Sequence, residues 1–153
     1  MGKKGEQARA LFMQGYNCSQ CVAAAFCEEA GLDRDVMLKI SVGLGGGVGR
    51  LREVCGAFGG MALVLGMLYG DTRPDSKTAV YPIVQRLAAE YKAQNGSIVC
   101  KELLGLAKPE GSPEPEPRTA EYYKKRPCPD LVACAADMLA EYIAANPPKR
   151  GGK

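Results

Sequence analysis

The residues with the clearest chemical potential in this chain are its cysteines. The sequence of 153 residues contains seven of them and no histidine. Without an imidazole there is no Ser–His or Cys–His dyad, no imidazole proton shuttle and no histidine metal ligand. Thiolates are strong nucleophiles and good metal ligands, so we expect the chemistry of this protein to be that of sulfur.

Four of the cysteines are predicted to lie at the starts of four different helices: Cys18, Cys55, Cys100 and Cys128. Free N–H groups and the positive end of the helix dipole lower the pKa of a thiol there and favour the thiolate. If the four starts converge, they form an anionic tetrathiolate site that suits an iron–sulfur cluster or a zinc ion. The competing interpretation is simple burial in a core, which is common for free cysteines.

Local signals predict where these helices begin. Asn17 is a candidate N-cap before Cys18, and Ser97 is a candidate N-cap three residues before the third cysteine. Pro129 suits the first helical position, which makes Cys128 the predicted cap of the last helix.

A glycine-rich loop precedes the second of these cysteines. Gly45, Gly46 and Gly47, together with Arg50, are candidate cofactor-binding residues. Backbone N–H groups can approach sulfide or thiolate closely where side chains are missing, and the arginine adds positive charge. The alternative is a tight connection against the next helix. No dinucleotide or Walker pattern can be drawn through the loop, so no nucleotide is predicted to bind there.

The other three cysteines, Cys21, Cys27 and Cys134, do not match this set. On ideal helices Cys27 lies about 180° from Cys18, and Cys134 lies about 120° from the face of Cys128. Cys21 forms a C-x-x-C pair with Cys18 on one helix face, where it could form a disulfide or replace a ligand. Ordinary packing is the favoured interpretation of Cys21.

The order of the four cysteines resembles that of a known family. The motif Cys-Gly-Ala-x-x-Gly at Cys55, with Cys18, Cys100, Cys128 and the glycine loop, resembles the redox-active C-GCAxxG-C-C family over about residues 6–143. The resemblance implies a small helical protein in which these four are the characteristic cysteines. A similar arrangement occurs in the iron–sulfur domain of split-Soret cytochromes, whose haem attachment motif this chain lacks.

The elements that must position these residues are predicted to be helices. Apolar residues recur at helical spacing, and no convincing period-2 strand pattern is present. The predicted fold is all-α, a compact single-domain bundle of about six helices over residues 5–146. A buried, glycine-rich helix at about residues 54–69 lies at its centre. Residues 108–118 are a predicted Pro/Glu-rich loop, too poor in apolar groups to pack, and residues 147–153 a flexible tail.

Particular segments carry further expectations. One continuous helix is predicted over residues 18–30, and the next helix is predicted to turn Met37 and Ile40 inward. Gly56 and Gly60 form a small-xxx-small pattern, which favours the close approach of another helix, from this chain or from the second subunit of a homodimer.

Charge and hydropathy indicate which classes of partner the protein is not expected to bind. The formal charge of +3 is supplied by lysines and arginines of the two tails, so no nucleic-acid partner is predicted. The 17 uncharged residues at 54–70 are near the lower limit for a membrane span, but five glycines favour a buried helix instead, so the protein is not predicted to span a membrane. No secretory signal is visible. We therefore expect a cytoplasmic protein, where an odd number of cysteines argues against a disulfide framework.

Three functional hypotheses follow. The first is a small cytoplasmic redox protein whose Cys18, Cys55, Cys100 and Cys128 bind an iron–sulfur cluster, with [2Fe–2S] favoured over a cubane, for electron transfer or redox sensing with an unidentified partner protein. The second is a metal-free thiol–disulfide oxidoreductase, with Cys18 or Cys55 as the redox-active thiol. The third is a zinc-stabilised or metal-free helical interaction domain.

Overall fold

The computed structural model describes residues 1–106 and 111–149. Within these two ranges no β-strand forms, and the one sheet-like pairing is an isolated antiparallel bridge between Val54 and Val99. The all-α prediction is therefore confirmed. Residues 108–110 of the predicted loop and the last four residues of the predicted tail lie outside the described ranges.

The helices are α1 (Lys3–Met13), α2 (Cys18–Ala25), α3 (Cys27–Ala30), α4 (Arg34–Ser41), α5 (Gly45–Val48), α6 (Gly56–Tyr69), α7 (Lys77–Asn95), α8 (Cys100–Leu103), α9 (Ala120–Lys125) and α10 (Cys128–Ala145). Two 3-10 turns occupy Val42–Leu44 and Pro74–Ser76. The described ranges thus hold more helical segments than the predicted six, because several are single turns. Helix α9 was not predicted, although Thr119 caps it by accepting a hydrogen bond from the Tyr122 N–H.

One hydrophobic core joins the long helices. Helix α6 packs against α2, α7 and α10, and α1 packs along α10. Met61, Val64 and Leu65 of α6 are fully buried, as expected for the central helix, but Met67 near its C-terminal end is 42% exposed. No helix in the described part of the chain is both long and apolar enough to cross a membrane.

Glycines bring α6 close to α2. A methyl group at Gly60 would lie 2.6 Å from the Ser19 carbonyl oxygen, and one at Gly56 would lie 3.1 Å from Cys18 Cβ. The small-residue pattern therefore packs against a helix of the same chain. This contact brings Cys18 next to the start of α6.

The predicted helix over residues 18–30 is interrupted at Phe26. This residue leaves the helical conformation, with φ −114° and ψ 19°, and α3 begins after it. Phe26 is nearly completely buried, so the break keeps its ring in the core. Periodicity alone does not reveal such a break.

The inward orientation predicted for α4 is correct for Met37 and wrong for Ile40. Met37 is fully buried, whereas Ile40 is 48% exposed. The buried face of α4 consists of Met37, Leu38 and Ser41. Ile40 lies beyond one edge of that face, and the buried hydroxyl of Ser41, which donates to the Met37 carbonyl, takes the inner position instead.

Candidate functional site

The four predicted cysteines line one cavity. Its volume is about 270 Å³, and Cys18, Cys55, Cys100 and Cys128 all contribute to its wall. Cys18, Cys100 and Cys128 are the first residues of α2, α8 and α10, and Cys55 is the N-cap of α6. The prediction that they lie at helix starts is confirmed. In α10, however, the cap is Pro127 rather than Cys128.

Capping interactions fix the approach to two of these starts. Asn17 caps α2 in a capping box: its side chain accepts the Gln20 N–H at 3.0 Å, and the Gln20 side chain accepts the Asn17 N–H at 3.1 Å. Ser97 does not cap α8, because the cap is Val99. The Ser97 hydroxyl instead accepts the Val99 N–H at 2.9 Å and closes the turn that precedes the helix.

Cys55 and Cys100 are held side by side by their backbones. The Cys55 N–H donates to the Ile98 carbonyl at 2.7 Å, and the Cys100 N–H donates to the Glu53 carbonyl at 2.6 Å. These bonds flank the isolated bridge described above. Two segments that are remote in the sequence therefore lie side by side, and this places Cys55 and Cys100 next to each other in the cavity wall.

The glycine-rich loop takes a left-handed path along the cavity. Its positive-φ residues are Gly46, Gly47, Val48, Gly49, Arg50 and Arg52, with φ between 56° and 70°. The left-handed conformation costs roughly 1–2 kcal/mol for a residue with a Cβ. Backbone bonds from the Arg52 N–H to Gly46 and from the Glu53 N–H to Gly47 hold the loop in this form.

All four residues predicted to bind a cofactor line the cavity, namely Gly45, Gly46, Gly47 and Arg50. Gly47 makes the closest approach to a cysteine. A methyl group there would lie 2.6 Å from Cys100 Cβ and 2.7 Å from Arg52 Cα. Only glycine fits this position without moving the cysteine. Whether these residues contact a cofactor stays a prediction.

The charged residues lining the cavity are mainly cationic: Arg50, Arg52, Arg118, Arg126 and Glu116. Arg52 is 6% exposed, and its Nη1 donates to Cys100 Sγ at 3.7 Å. Four guanidinium groups against one carboxylate favour an anionic occupant or anionic thiolates. Arg118 and Arg126 were not predicted as site residues, because a charge-rich segment gives no sign of which side chains turn inward.

The described part of the Pro/Glu-rich segment, residues 111–118, packs over the cavity. Arg50 donates to the carbonyl oxygens of Ser112, at 3.0 Å, and Glu114. The guanidinium of Arg118 lies 4.1 Å from the ring centre of Phe12 and donates to the Phe12 carbonyl at 2.9 Å. Residues 111–117 are themselves exposed, although the segment lines the cavity. Hydrogen bonds and ion pairs of arginines, rather than apolar burial, hold the segment against the cavity.

Glu116 links this segment to two arginines of the site. Its carboxylate pairs with Arg126 and lies 3.8 Å from Arg50. Partly exposed ion pairs contribute about 1 kcal/mol or less each. We expect Glu116→Gln to loosen the segment and to speed reaction of the cavity thiols with an aromatic disulfide reagent by up to about fivefold, since 1.4 kcal/mol corresponds to about tenfold.

The matched control for Glu116→Gln is Glu121→Gln. This change removes the exposed pair between Glu121 and Lys125, which lie 3.4 Å apart on α9. Stopped-flow absorbance gives the rates for both variants. Equal rates in the wild type and in Glu116→Gln would show that the segment does not control access to the thiols.

Cys18 and Cys128 are interacting thiols of unequal acidity. Their interaction raises the pKa of Cys18 and lowers that of Cys128. Burial further raises the pKa of Cys18, whereas the charges of Arg126 and two other arginines favour the Cys128 thiolate. Cys128 is thus the more acidic thiol of the two, and Cys18 the less acidic.

Burial controls the acidity of the other two thiols. It raises the pKa of both Cys55 and Cys100 above the ordinary thiol range. A contact of 3.3 Å between Cys55 Sγ and Tyr91 Oη opposes this for Cys55, and the Arg52 guanidinium opposes it for Cys100. The expected lowering of thiol pKa at helix starts is therefore outweighed at these two positions by desolvation.

The remaining cysteines lie away from the cavity wall. Cys21 is fully buried, its thiol donates to the Tyr16 carbonyl at 3.6 Å, and burial raises its pKa to about 12. Cys134 donates to Gln94 Oε1 at 3.2 Å. Cys27 is partly buried and also lies outside the cavity wall. The placement of Cys21 agrees with the packing interpretation.

The arrangement of the donors bears on which metal could bind. In the ranges that the structure describes, no three cysteine, aspartate or glutamate side chains come together as ligands of one metal ion. An iron–sulfur cluster distributes its thiolates over two or more irons. Four thiols, cationic walls and a glycine backbone fit such an anionic cluster.

A family model matches most of the chain. The family described as "Putative redox-active protein (C_GCAxxG_C_C)" matches residues 16–142. Neither a curated protein nor a solved structure matches the chain. The matched range includes all four cysteines of the cavity.

Proposed function

Because the chain belongs to the C_GCAxxG_C_C family of redox-active proteins, we propose that its cavity holds an iron–sulfur cluster for electron transfer or redox sensing in the cytoplasm. The observation that carries this proposal is the placement of Cys18, Cys55, Cys100 and Cys128 around one cavity. A bound cluster supplies a one-electron couple whose potential depends on hydrogen bonds, charge and exposure. We favour a [2Fe–2S] cluster, the type already preferred in the sequence analysis.

In this proposal the protein provides ligands and compensates their charge. The four thiols lose their protons when they become ligands, so loading releases protons and is weaker at low pH. The arginines on the cavity wall offset the added negative charge. The glycine loop keeps side chains away from the cavity, and the segment at residues 111–118 limits the access of water and oxidants.

Anaerobic reduction tests this proposal. Protein purified or reconstituted without oxygen is expected to absorb visible light, to lose part of that absorbance on adding dithionite, and to recover it on reoxidation. A reduced sample is expected to give an electron paramagnetic resonance signal. Colourless protein that takes up no iron and sulfide after reconstitution would overturn the proposal.

The opposite pKa shifts of Cys18 and Cys128, which line the same cavity, support a second candidate, a thiol–disulfide oxidoreductase. The Cys128 thiolate attacks the disulfide of a substrate, forms a mixed disulfide and releases the first substrate thiolate, which takes the proton from Cys18. Cys18 then attacks the Cys128 sulfur and releases the second substrate thiolate. The substrate disulfide is reduced by two electrons, and the Cys18–Cys128 pair is oxidised to a disulfide.

Mass spectrometry of alkylated, metal-free protein distinguishes this candidate. Equilibration with oxidised and reduced glutathione is expected to form a reversible Cys18–Cys128 bond in preference to other pairs. The variant Cys18→Ser is expected to stop at a mixed disulfide on Cys128. Failure to form the pair at any glutathione ratio would remove this candidate without touching the cluster proposal.

A further inference from the structure

A buried tyrosine contacts one of the four cysteines. Tyr91 on α7 is completely buried, and its ring centre lies 5.9 Å from that of Phe58. Its hydroxyl oxygen is 3.3 Å from Cys55 Sγ. Burying a phenolic hydroxyl is costly unless it forms a hydrogen bond. The contact with Cys55 is therefore important to the folded protein.

The protonation of Cys55 decides how well this contact is satisfied. When Cys55 is a neutral thiol, either side chain can donate, and a thiol sulfur is a weak acceptor. When the sulfur is anionic, only the tyrosine can donate and the bond is charge-assisted. The contact is therefore stronger with an anionic or metal-bound sulfur than with a thiol.

The two ends of the site also differ. Cys55 and Cys100 contact Tyr91 and Arg52, which lie outside the set of four, whereas Cys18 and Cys128 influence the pKa values of each other. Arg52 is a permanent cation, but Tyr91 is neutral and can be changed to phenylalanine by the loss of one oxygen. Tyr91 therefore isolates the effect of a single hydrogen bond.

We propose that Tyr91 is a positioning residue that donates a hydrogen bond to the anionic sulfur of Cys55 and raises the reduction potential of the site. This rests on the proposed iron–sulfur function. A hydrogen bond withdraws negative charge from a ligand sulfur, and the reduced state, which carries more negative charge, gains more from it. Removing the bond therefore favours the oxidised state.

The test is Tyr91→Phe in reconstituted, cluster-loaded protein. We expect the cluster to bind and its reduction equilibrium constant to fall about threefold or more, a shift of roughly 30 mV to more negative potential at 59 mV per tenfold change. The sulfur-to-iron charge-transfer bands are expected to move to lower energy. A potential and spectrum equal to those of the wild type would overturn the inference and leave the proposed function intact.

Tyr69→Phe is the matched control. Tyr69 lies at the opposite end of α6 from Cys55, and its hydroxyl donates to the Asn146 carbonyl at 2.7 Å. This variant also loses the hydrogen bond of one tyrosine hydroxyl, but at a position outside the cavity wall. Its melting temperature is expected to fall while its potential stays at the wild-type value. An equal shift of potential in both variants would assign the effect to general destabilisation.

A second readout uses the metal-free protein and separates the two proposals. Burial keeps Cys55 protonated there, so its S–H stretching band, identified by its loss in Cys55→Ala, reports the contact with Tyr91 in the infrared spectrum. Tyr91→Phe is expected to shift that band, and an unchanged band would overturn the contact. Failure of the wild type to take up a cluster would overturn the proposed function, and with it the effect of Tyr91 on potential.

Discussion

Gly47→Ala is expected to destabilise the metal-free protein by about 2–5 kcal/mol. Gly47 has φ +70°, and the left-handed conformation costs roughly 1–2 kcal/mol for alanine. The added methyl group would also lie 2.6 Å from Cys100 Cβ and from the Glu53 backbone nitrogen. Such overpacking typically costs about 1–3 kcal/mol. Urea unfolding followed by circular dichroism measures the loss.

Gly49→Ala is the control for that prediction. Gly49 has a similar φ of +56°, but no atom lies within 4 Å of the position that its methyl group would take. We expect it to lose only the conformational term, roughly 1–2 kcal/mol. The difference between the two variants therefore measures the crowding against Cys100. Equal losses would mean that the loop does not press against the cysteine as described.

The second large effect is expected from replacing the cysteines that line the cavity. We expect Cys100→Ser to lower the iron and sulfide content of reconstituted protein by more than about tenfold, since even outer-shell partners of a metal ligand are worth about 10–100-fold in affinity. The same result is expected for serine at each of the other three cavity cysteines. Metal analysis together with visible absorption measures the retained cluster.

Cys134→Ser is the matched control for the ligand variants. Cys134 is also a free cysteine of α10, but it lies outside the cavity wall, and its thiol donates a hydrogen bond to Gln94. It is expected to keep a full complement of iron and sulfide. Comparable loss in Cys134→Ser, or full retention in Cys100→Ser, would contradict the assignment of the ligands.

Local sequence signals placed Cys18 and Cys128 at the starts of their helices, whereas the cap predicted before Cys100, Ser97, was wrong. Asn17 with Gln20 forms the capping box that begins α2, and the proline after Cys128 marks the start of α10. These features are short-range, because a cap is made within three or four residues. The order of cysteines around the glycine motif then identified the family, which the match over residues 16–142 confirms.

The contacts that complete the site could not be predicted in this way. Arg118 lies more than 100 residues from the Phe12 carbonyl to which it donates, and Tyr91 lies 36 residues from Cys55. In the sequence, Tyr91 is one more apolar position on the inner stripe of α7. Only the packing of α7 against α6 brings its hydroxyl to a sulfur. Such long-range contacts depend on the fold, and no local sequence motif predicts them.

The effect of burial on the thiols was also hidden from the sequence. Helix starts lower the pKa of a thiol when it is accessible to solvent, but Cys55 is only 4% exposed. Desolvation then dominates, and the metal-free thiol keeps its proton. The site is thus prepared to release protons when a cation binds rather than to hold four free thiolates.

The iron and acid-labile sulfide content of the wild-type protein, isolated without oxygen, tests the cluster proposal most directly. We expect iron and sulfide in equal amounts, with two of each per chain for the favoured [2Fe–2S] cluster, and a visible absorption band that dithionite bleaches. Protein that contains neither element, and binds neither during anaerobic reconstitution, would contradict it.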